Sequence, residues 1–128
     1  MTNSVPENPP STNAGARASS LFLDSNSIPW RDSPHAGVRW KKLQFDGRTS
    51  VVLLEFEPGA SYGAHRHPAG EEYWVIEGSI IDGGNSHGPG TWISHPAGSV
   101  HRPRSDEGCL LLVRLEAPIE PLTGLVGE

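Results

Sequence analysis

Cysteine is almost absent from this chain. Its 128 residues include a single cysteine, Cys109, so no disulfide can form within the chain. Cys109 lies in the apolar run CLLLVRL, which predicts a buried and unreactive thiol. Long apolar runs are missing too, since no stretch approaches the roughly eighteen consecutive apolar residues of a membrane-spanning helix. The amino terminus lacks the charged-then-apolar pattern of a secretory signal. We therefore expect a cytoplasmic protein that has no membrane partner.

Positive charge is also scarce. The 10 Lys and Arg residues are outnumbered by 15 Asp and Glu residues, which gives a formal net charge of -5. The basic residues are scattered along the chain, whereas binding to a phosphate backbone requires a concentrated basic surface. We therefore expect no nucleic-acid partner. The 15 Gly and 12 Pro residues are typical of short strands joined by turns, because the interior of a helix tolerates few of either.

Strand-like segments begin at Val38 and recur at the short spacing that is typical of sandwiches and barrels. Alternating or β-branched residues between Gly and Pro turn signals predict the strands. They are VRWKKLQF (38–45), TSVVLLEF (49–56), residues 62–67, EEYWVIEG (71–78), SIID (79–82), TWISH (91–95) and CLLLVRLE (109–116). The predicted fold is therefore an all-β barrel or jelly roll.

The first part of the chain has a different composition. Residues 1–20 have few large apolar side chains, so burial would not compensate for the entropy lost on ordering them, and we expect a flexible tail. Residues 21–128 are predicted to form one domain, since this length supports a single core. The segment from Leu21 to Asn26 is interpreted either as a first edge strand or as a contact with a partner subunit.

Two histidines one residue apart suggest a metal site. Residues two apart in a strand share a face, so His65 and His67 point the same way and can bind one ion. Glu71 and Glu72 open the next predicted strand, and only one of them can face the same interior. On these residues alone both glutamates are candidates. A second segment, GTWISHPAGSVH, ends at His101 and supplies another imidazole.

Both segments carry the spacing of a known family. Gly59, five residues, His65-x-His67, three residues, Glu71, six residues and Gly78 resemble the first cupin motif. Gly90, five residues, Pro96-x-Gly98, two residues and His101 resemble the second. The stretches IPWRDSP, FEPGA, HRHPAGEEYWVIEG, PAGSVHRP and GCLLLVRL are similar to ChrR-type cupins in particular. That subgroup includes the carboxy-terminal domain of ChrR anti-sigma factors and is related to the acetylacetone-cleaving dioxygenases.

The resemblance covers about residues 28–116 and implies a double-stranded β-helix, the cupin jelly-roll barrel, which usually forms a homodimer. Ser105 departs from the second motif, where many cupins carry Asn, but that position is not a metal ligand. The implied ligands are His65, His67, Glu71 and His101. Glu71 is preferred over Glu72, because Glu72 would leave only five residues before Gly78. With Glu71 inward, Tyr73 and Val75 should also face the interior, and Trp74 and Ile76 should pack outward.

The implied cofactor is one divalent metal ion, either Zn²⁺ or one of Fe²⁺, Mn²⁺ and Ni²⁺. Four tetrahedral ligands would suit a closed Zn²⁺ site, whereas six-coordination would leave two open positions, and the sequence does not decide between them. Residues that could line a pocket for a small-molecule ligand are Tyr62, Tyr73, Trp92, Arg102 and Arg104. No catalytic residue is assigned.

Three hypotheses about function follow. The first is a metal-dependent dioxygenase or related enzyme that acts on a small carbonyl or diketone-like substrate. The second is a zinc-binding sensory or regulatory cupin without anti-sigma activity. In ChrR proteins the sigma-binding function belongs to a separate zinc domain, and residues 1–34 here contain no His or Cys. In the third, the metal only stabilises the fold.

Overall fold

Antiparallel strands make up most of the regular structure in the computed structural model, which describes residues 19–122. A 3-10 turn at Ser25–Ser27 precedes the strands. The strands are β1 (Arg31–Asp32), β2 (Val38–Phe45), β3 (Ser50–Phe56), β4 (His65–His67), β5 (Glu71–Gly78), β6 (Ile80–Asp82), β7 (Asn85–His87), β8 (Trp92–His95), β9 (Ser99–His101), β10 (Cys109–Leu115) and β11 (Glu120–Pro121). Within these residues no helix is long and apolar enough to cross a membrane.

The strands form three sheets. The largest has the order β1-β2-β3-β10-β5-β8, a second has the order β11-β4-β9, and β6 pairs with β7. Neighbours that are distant in sequence, such as β3 and β10, pair along their whole length, from Phe56 opposite Cys109 to Ser50 opposite Leu115. The predicted all-β jelly-roll barrel is therefore confirmed, and the six-stranded and three-stranded sheets provide its two sides.

Alternation along β5 and β10 separates the core from the surface. Tyr73 and Val75 are 2% and 0% exposed and face the interior, as the register of β5 predicts. Trp74 and Ile76 point outward and are 47% and 39% exposed. The thiol of Cys109 is buried as predicted, and burial raises its pKa to about 11, so it stays protonated at neutral pH.

One crowded position depends on glycine. Gly78 ends β5 with a φ of +75°, a conformation that L side chains rarely adopt. A Cβ atom placed there would lie 2.0 Å from the carbonyl oxygen of Gly108, which belongs to the turn before β10. The register between β5 and β10 shifts nearby, between Leu110 and Leu111. Gly78 therefore permits the close approach of the two chain segments at this irregularity.

Several short elements differ from the sequence-based expectation. The segment from Leu21 to Asn26 forms no strand, and the predicted strand over 62–67 is limited to β4. Strand β9 lies within the stretch PAGSVH, for which no strand was predicted. Strands β4 and β9 are three residues long and pair with each other although they are distant in sequence, so local patterns give little signal for them. Residues 1–18 of the expected tail lie outside the described residues, as do residues 123–128.

Candidate metal centre

Two paired strands bring three histidines together. His65 and His67 lie on the same face of β4, and β4 pairs with β9 so that His65 is directly opposite His101. Glu71 approaches from the first position of β5, on the other sheet. All four side chains are buried: His65, His67 and Glu71 are 4%, 1% and 8% exposed, and the His101 side chain is 7% exposed. We call His65, His67 and His101 the three-histidine cluster.

The Nε2 atoms of the cluster converge on one point. The Nε2 atom of His101 lies 2.9 Å from Nε2 of His65 and 2.9 Å from Nε2 of His67. The Oε1 atom of Glu71 lies 3.2 Å from Nε2 of His67 and 3.4 Å from Nε2 of His101. Glu72, the alternative ligand by sequence, points to the other face and lies 3.5 Å from the guanidinium of Arg114. The structure therefore brings together the four residues that the motif resemblance implied.

In the rings of His65 and His101, a hydrogen bond at Nδ1 determines which of the two ring nitrogens carries the proton. The Nδ1 atom of His65 lies 2.8 Å from the carbonyl oxygen of Gly63, and Nδ1 of His101 lies 3.0 Å from a carboxylate oxygen of Asp82. Both partners are acceptors only, so each Nδ1 must carry the proton. Burial lowers the pKa of His65 to about 4, so this ring is neutral at pH 7. With Nδ1 protonated, the neutral His65 ring presents an unprotonated Nε2 atom to Nε2 of His101.

This arrangement fits a bound cation. Ring nitrogens 2.9 Å apart repel each other unless a positive charge, either a proton or a metal ion, lies between their lone pairs. The Oε1 atom of Glu71 is buried and, among the described residues, has no hydrogen-bond partner. Buried polar atoms without a partner are rare in proteins, because leaving them unsatisfied is costly. Imidazole nitrogens and a carboxylate oxygen are common ligands of divalent transition metals. The buried three-histidine cluster could therefore hold a metal ion.

Asp82 contacts the three-histidine cluster through His101, and it is not among the residues predicted from the sequence. Asp82 is buried, with 6% of the residue exposed. Its carboxylate accepts hydrogen bonds from the Tyr73 hydroxyl, from Nε2 of His95 at 2.9 Å and from Nδ1 of His101. Burial alone would raise the pKa of Asp82, but hydrogen bonds from His101, His95 and Tyr73 outweigh burial and hold it well below its usual value. The ionised carboxylate therefore fixes the orientation and tautomer of the His101 ring.

His95 lies close enough to form an alternative group with Glu71 and His101. The hydrogen bond to Asp82 raises the pKa of His95, and it occupies the Nε2 atom of the ring. The His95 side chain is also 22% exposed, more than any member of the three-histidine cluster. His95 is therefore better placed to support Asp82 than to bind an ion.

A cavity of about 1190 Å³ opens beside the cluster. Its walls are mainly apolar and include Val52, Leu54, Phe56 and Val113, which lie on β3 and β10 of the six-stranded sheet. Tyr62 and Tyr73, two of the expected pocket residues, line it together with the three histidines and Glu71. Apolar walls around a few polar groups are characteristic of small-molecule sites.

The other three expected pocket residues are not part of this lining. Trp92 is 55% exposed and packs against Trp74 on the outer face, because its register position in β8 points away from the interior. Arg102 follows the inward His101 and is exposed, since successive strand residues alternate sides. The guanidinium of Arg104 is exposed and lies 3.7 Å from Asp106. These residues lie close to the motif in sequence, but strand direction takes them away from the cavity.

Comparison with known families agrees with the fold and the motif. The profile of the ChrR Cupin-like domain family matches residues 18–118, which is most of the chain. The chain belongs to this family. No curated protein matches this cupin in sequence.

Solved structures show the same fold at low sequence identity. A protein from Methylibium petroleiphilum PM1, described as a candidate acetylacetone dioxygenase, aligns at a TM-score of 0.78 with 16% identity, covering 85% of each chain. An acetylacetone dioxygenase from Acinetobacter johnsonii aligns at 0.72 with 12% identity, covering 85% of this cupin and 80% of that chain. The anti-sigma factor ChrR of Rhodobacter sphaeroides, in complex with SigE, aligns at 0.64 with 24% identity, covering 70% of this cupin and 50% of that chain.

Proposed function

We propose that this cupin is a metal-dependent enzyme, a dioxygenase or a related enzyme, whose substrate is a small carbonyl or diketone-like compound. His65, His67, Glu71 and His101 are the proposed ligands of one divalent ion. A divalent ion held there would act as a Lewis acid on a carbonyl oxygen of the substrate. The observation that carries the proposal is the position of this donor set, which is buried yet lines a cavity large enough for a small molecule.

The distances between the histidine nitrogens of the donor set are consistent with a site that has open positions. Two nitrogens that are each about 2.1 Å from one ion lie about 3.0 Å apart at a right angle and about 3.4 Å apart at a tetrahedral angle. The two measured Nε2 separations of 2.9 Å are closer to the right-angle value. Right angles between ligands are typical of six-coordinate ions, and four protein ligands would then leave two positions for other molecules. The Oε1 atom of Glu71 lies 3.2 and 3.4 Å from the Nε2 atoms of His67 and His101, nearer the tetrahedral value, so the preference for an enzyme rests on the cavity that these ligands line.

Tyr62 provides a hydrogen-bond donor at the cavity wall. Its ring centroid lies 5.0 Å from that of His65, and no described residue accepts a hydrogen bond from its hydroxyl. Burial, together with the charge of Glu71, raises the pKa of Tyr62 to about 12, so the hydroxyl stays protonated at neutral pH. It can therefore donate to a substrate oxygen on which negative charge develops. The Tyr73 hydroxyl already donates to Asp82 and is less available.

The names of two solved structures with the same fold also support the proposed enzyme. Two of the structures with this fold are named as acetylacetone dioxygenases or candidates for that activity, which agrees with a diketone-like substrate. The ChrR structure favours the second candidate, a zinc-binding regulatory cupin. A zinc ion that only stabilises the fold has no need of a cavity beside it, so the cavity of about 1190 Å³ favours a site that binds a small molecule.

We also propose that the protein forms a homodimer through the outer face of its large sheet. Leu53, Leu112, Trp74 and Trp92 occupy directly opposed positions on β3, β10, β5 and β8. Trp74 and Trp92 are about half exposed, and Leu112 is 38% exposed. A continuous row of large apolar side chains on a surface is typical of protein interfaces.

The function is tested by metal analysis followed by oxygen uptake. We expect about one equivalent of divalent metal per chain and, after loading with Fe²⁺, oxygen consumption with a panel of diketones. The matched variants are Glu71→Gln and Glu72→Gln, which make the same chemical change at neighbouring residues that face opposite ways. Glu71→Gln should lower metal affinity at least about tenfold, while Glu72→Gln should leave it unchanged. Tightly held stoichiometric zinc with no uptake for any diketone would support the regulatory candidate instead.

A further inference from the structure

Three basic residues line the cavity at the edge of the large sheet, namely Arg31, Lys41 and Lys42. Arg31 on β1 is opposite Trp40 on β2, and Lys42 lies two residues further along β2. Trp40 lines the cavity, so the alternation of strand residues turns Arg31 and Lys42 to the same inner face. Both residues line the cavity and both are exposed, which places them at its mouth.

Neither Arg31 nor Lys42 is neutralised by a carboxylate. Within the described part of the chain Arg31 has no ion pair, and the ammonium of Lys42 lies 5.0 Å from the ring centroid of Phe45. The neighbouring Lys41 differs: its ammonium donates to the carbonyl oxygen of Ser25 at 2.9 Å and lies 4.7 Å from the ring of Trp30. Lys41 is therefore engaged by the segment before β1, whereas Arg31 and Lys42 can bind a ligand.

The charge at the mouth opposes that of the whole protein. The chain carries a formal net charge of -5, yet among the described residues that line the cavity Glu71 provides the single carboxylate. Glu71 lies at the three-histidine cluster, where a divalent ion would more than balance its charge. An apolar cavity with uncompensated positive charge at its mouth attracts anions, because its walls screen the charge less than bulk water does.

The strand register gives a distance across the cavity from its mouth to Tyr73, which lies two residues from Glu71 on β5. Lys42, Val52, Val113 and Tyr73 are directly opposed across β2, β3, β10 and β5. Three strand spacings of about 4.8 Å separate the Cα atoms of Lys42 and Tyr73 by roughly 14 Å along the sheet, and its curvature shortens the direct path. A ligand that contacts both ends must therefore carry its anionic group on an arm separate from the metal-binding carbonyls.

We propose that the substrate is a dicarbonyl compound that bears a carboxylate, with the carbonyls at the three-histidine cluster and the carboxylate bound by Arg31 and Lys42. This inference rests on the proposed function and adds a substrate class to it. Arg31 and Lys42 then determine specificity, because a neutral diketone of the same shape has no group to pair with them.

The test compares two ligands of nearly the same shape and different charge. The protein is loaded with Zn²⁺, which prevents turnover, and titrated calorimetrically with succinylacetone and with its methyl ester. We expect the carboxylate to bind about tenfold more tightly than the ester at low salt. The preference should shrink at about 1 M salt, where the screening length is about 3 Å. Arg31→Gln and Lys42→Gln should each reduce the preference, and the double variant should abolish it.

Arg104→Gln is the matched control, since it removes the same charge from an exposed position outside the cavity lining. It should retain the preference of the parent protein. Equal binding of acid and ester by the parent protein would overturn this inference while leaving the proposed function intact. The same conclusion would follow if all variants, including the double variant, kept the full preference. If neither ligand bound the metal-loaded protein, the proposed function would fail and this inference with it.

Discussion

Replacement of Asp82 by Asn should weaken metal binding, although Asp82 is not a proposed ligand. The carboxylate accepts hydrogen bonds from Tyr73, His95 and His101 at once. An amide of the same shape offers one acceptor oxygen, and its NH₂ group would face at least one of these donors. The Asp82→Asn variant therefore loses the negative charge behind His101 and no longer fixes Nδ1 of that ring as the protonated nitrogen.

The size of the effect follows from the bond that is lost. A hydrogen bond to a charged group contributes about 1.5–3 kcal/mol. Loss of such a partner behind a metal-binding histidine typically costs about 10- to 100-fold in metal affinity. Asp82→Asn should therefore raise the dissociation constant for Zn²⁺ by about that factor, as measured by competition with a chelator of known affinity.

Tyr73→Phe provides the control for this measurement. It removes one donor to Asp82 but retains the contact between Asp82 and His101, so its Zn²⁺ affinity should change less than about threefold. Circular dichroism establishes that both variants are folded before affinity is compared. An Asp82→Asn protein that is folded and binds Zn²⁺ as tightly as the parent would refute the role of Asp82 in orienting His101.

Three other predictions address different parts of the structure. Tyr62→Phe should lower kcat about 100-fold while the metal content stays stoichiometric; an unchanged kcat would remove Tyr62 from the mechanism. Trp74→Lys should convert the proposed dimer to a monomer in sedimentation at micromolar concentration, and a parent protein that is already monomeric would contradict the interface. Gly78→Ala should lower the free energy of unfolding by more than about 2 kcal/mol in urea denaturation, since a Cβ there meets the Gly108 carbonyl oxygen. Gly84→Ala, at a similar φ with no atom within 4 Å, should cost about 1 kcal/mol.

The long strands could be predicted from sequence because their signals are local. Strands β2, β3, β5 and β10 combine β-branched or apolar residues with turn signals at their ends, and the predicted bounds differ from the observed ones by one residue at most. The alternation along β5 also indicated which side chains face inward, from Tyr73 inside to Trp74 outside. In a half-buried strand, apolar and polar residues alternate with a period of two, whatever fold the strand belongs to. The inward direction of its side chains can therefore be predicted from a few consecutive residues.

Asp82 could not be identified in the same way. It lies in SIIDGG, where Asp before two glycines is an ordinary turn signal. Its function depends on β6 lying against β9, so that residues 19 positions apart come within 3.0 Å. Arg31 was missed for a similar reason, since the two-residue strand β1 lies in a turn-rich stretch and only its pairing with β2 turns Arg31 to the cavity. Both residues depend on contacts between distant strands, which no single window contains.

The four proposed ligands belong to two different sheets. The three histidines lie on the sheet formed by β11, β4 and β9, and Glu71 lies on β5 of the six-stranded sheet. A metal ion held by a ligand set divided in this way would cross-link the two sides of the barrel, as a disulfide would in a protein that had a second cysteine. Separation of the two sheets at this end would then require loss of a ligand, so the exchange rate of the metal and the rate of barrel opening would be linked quantities.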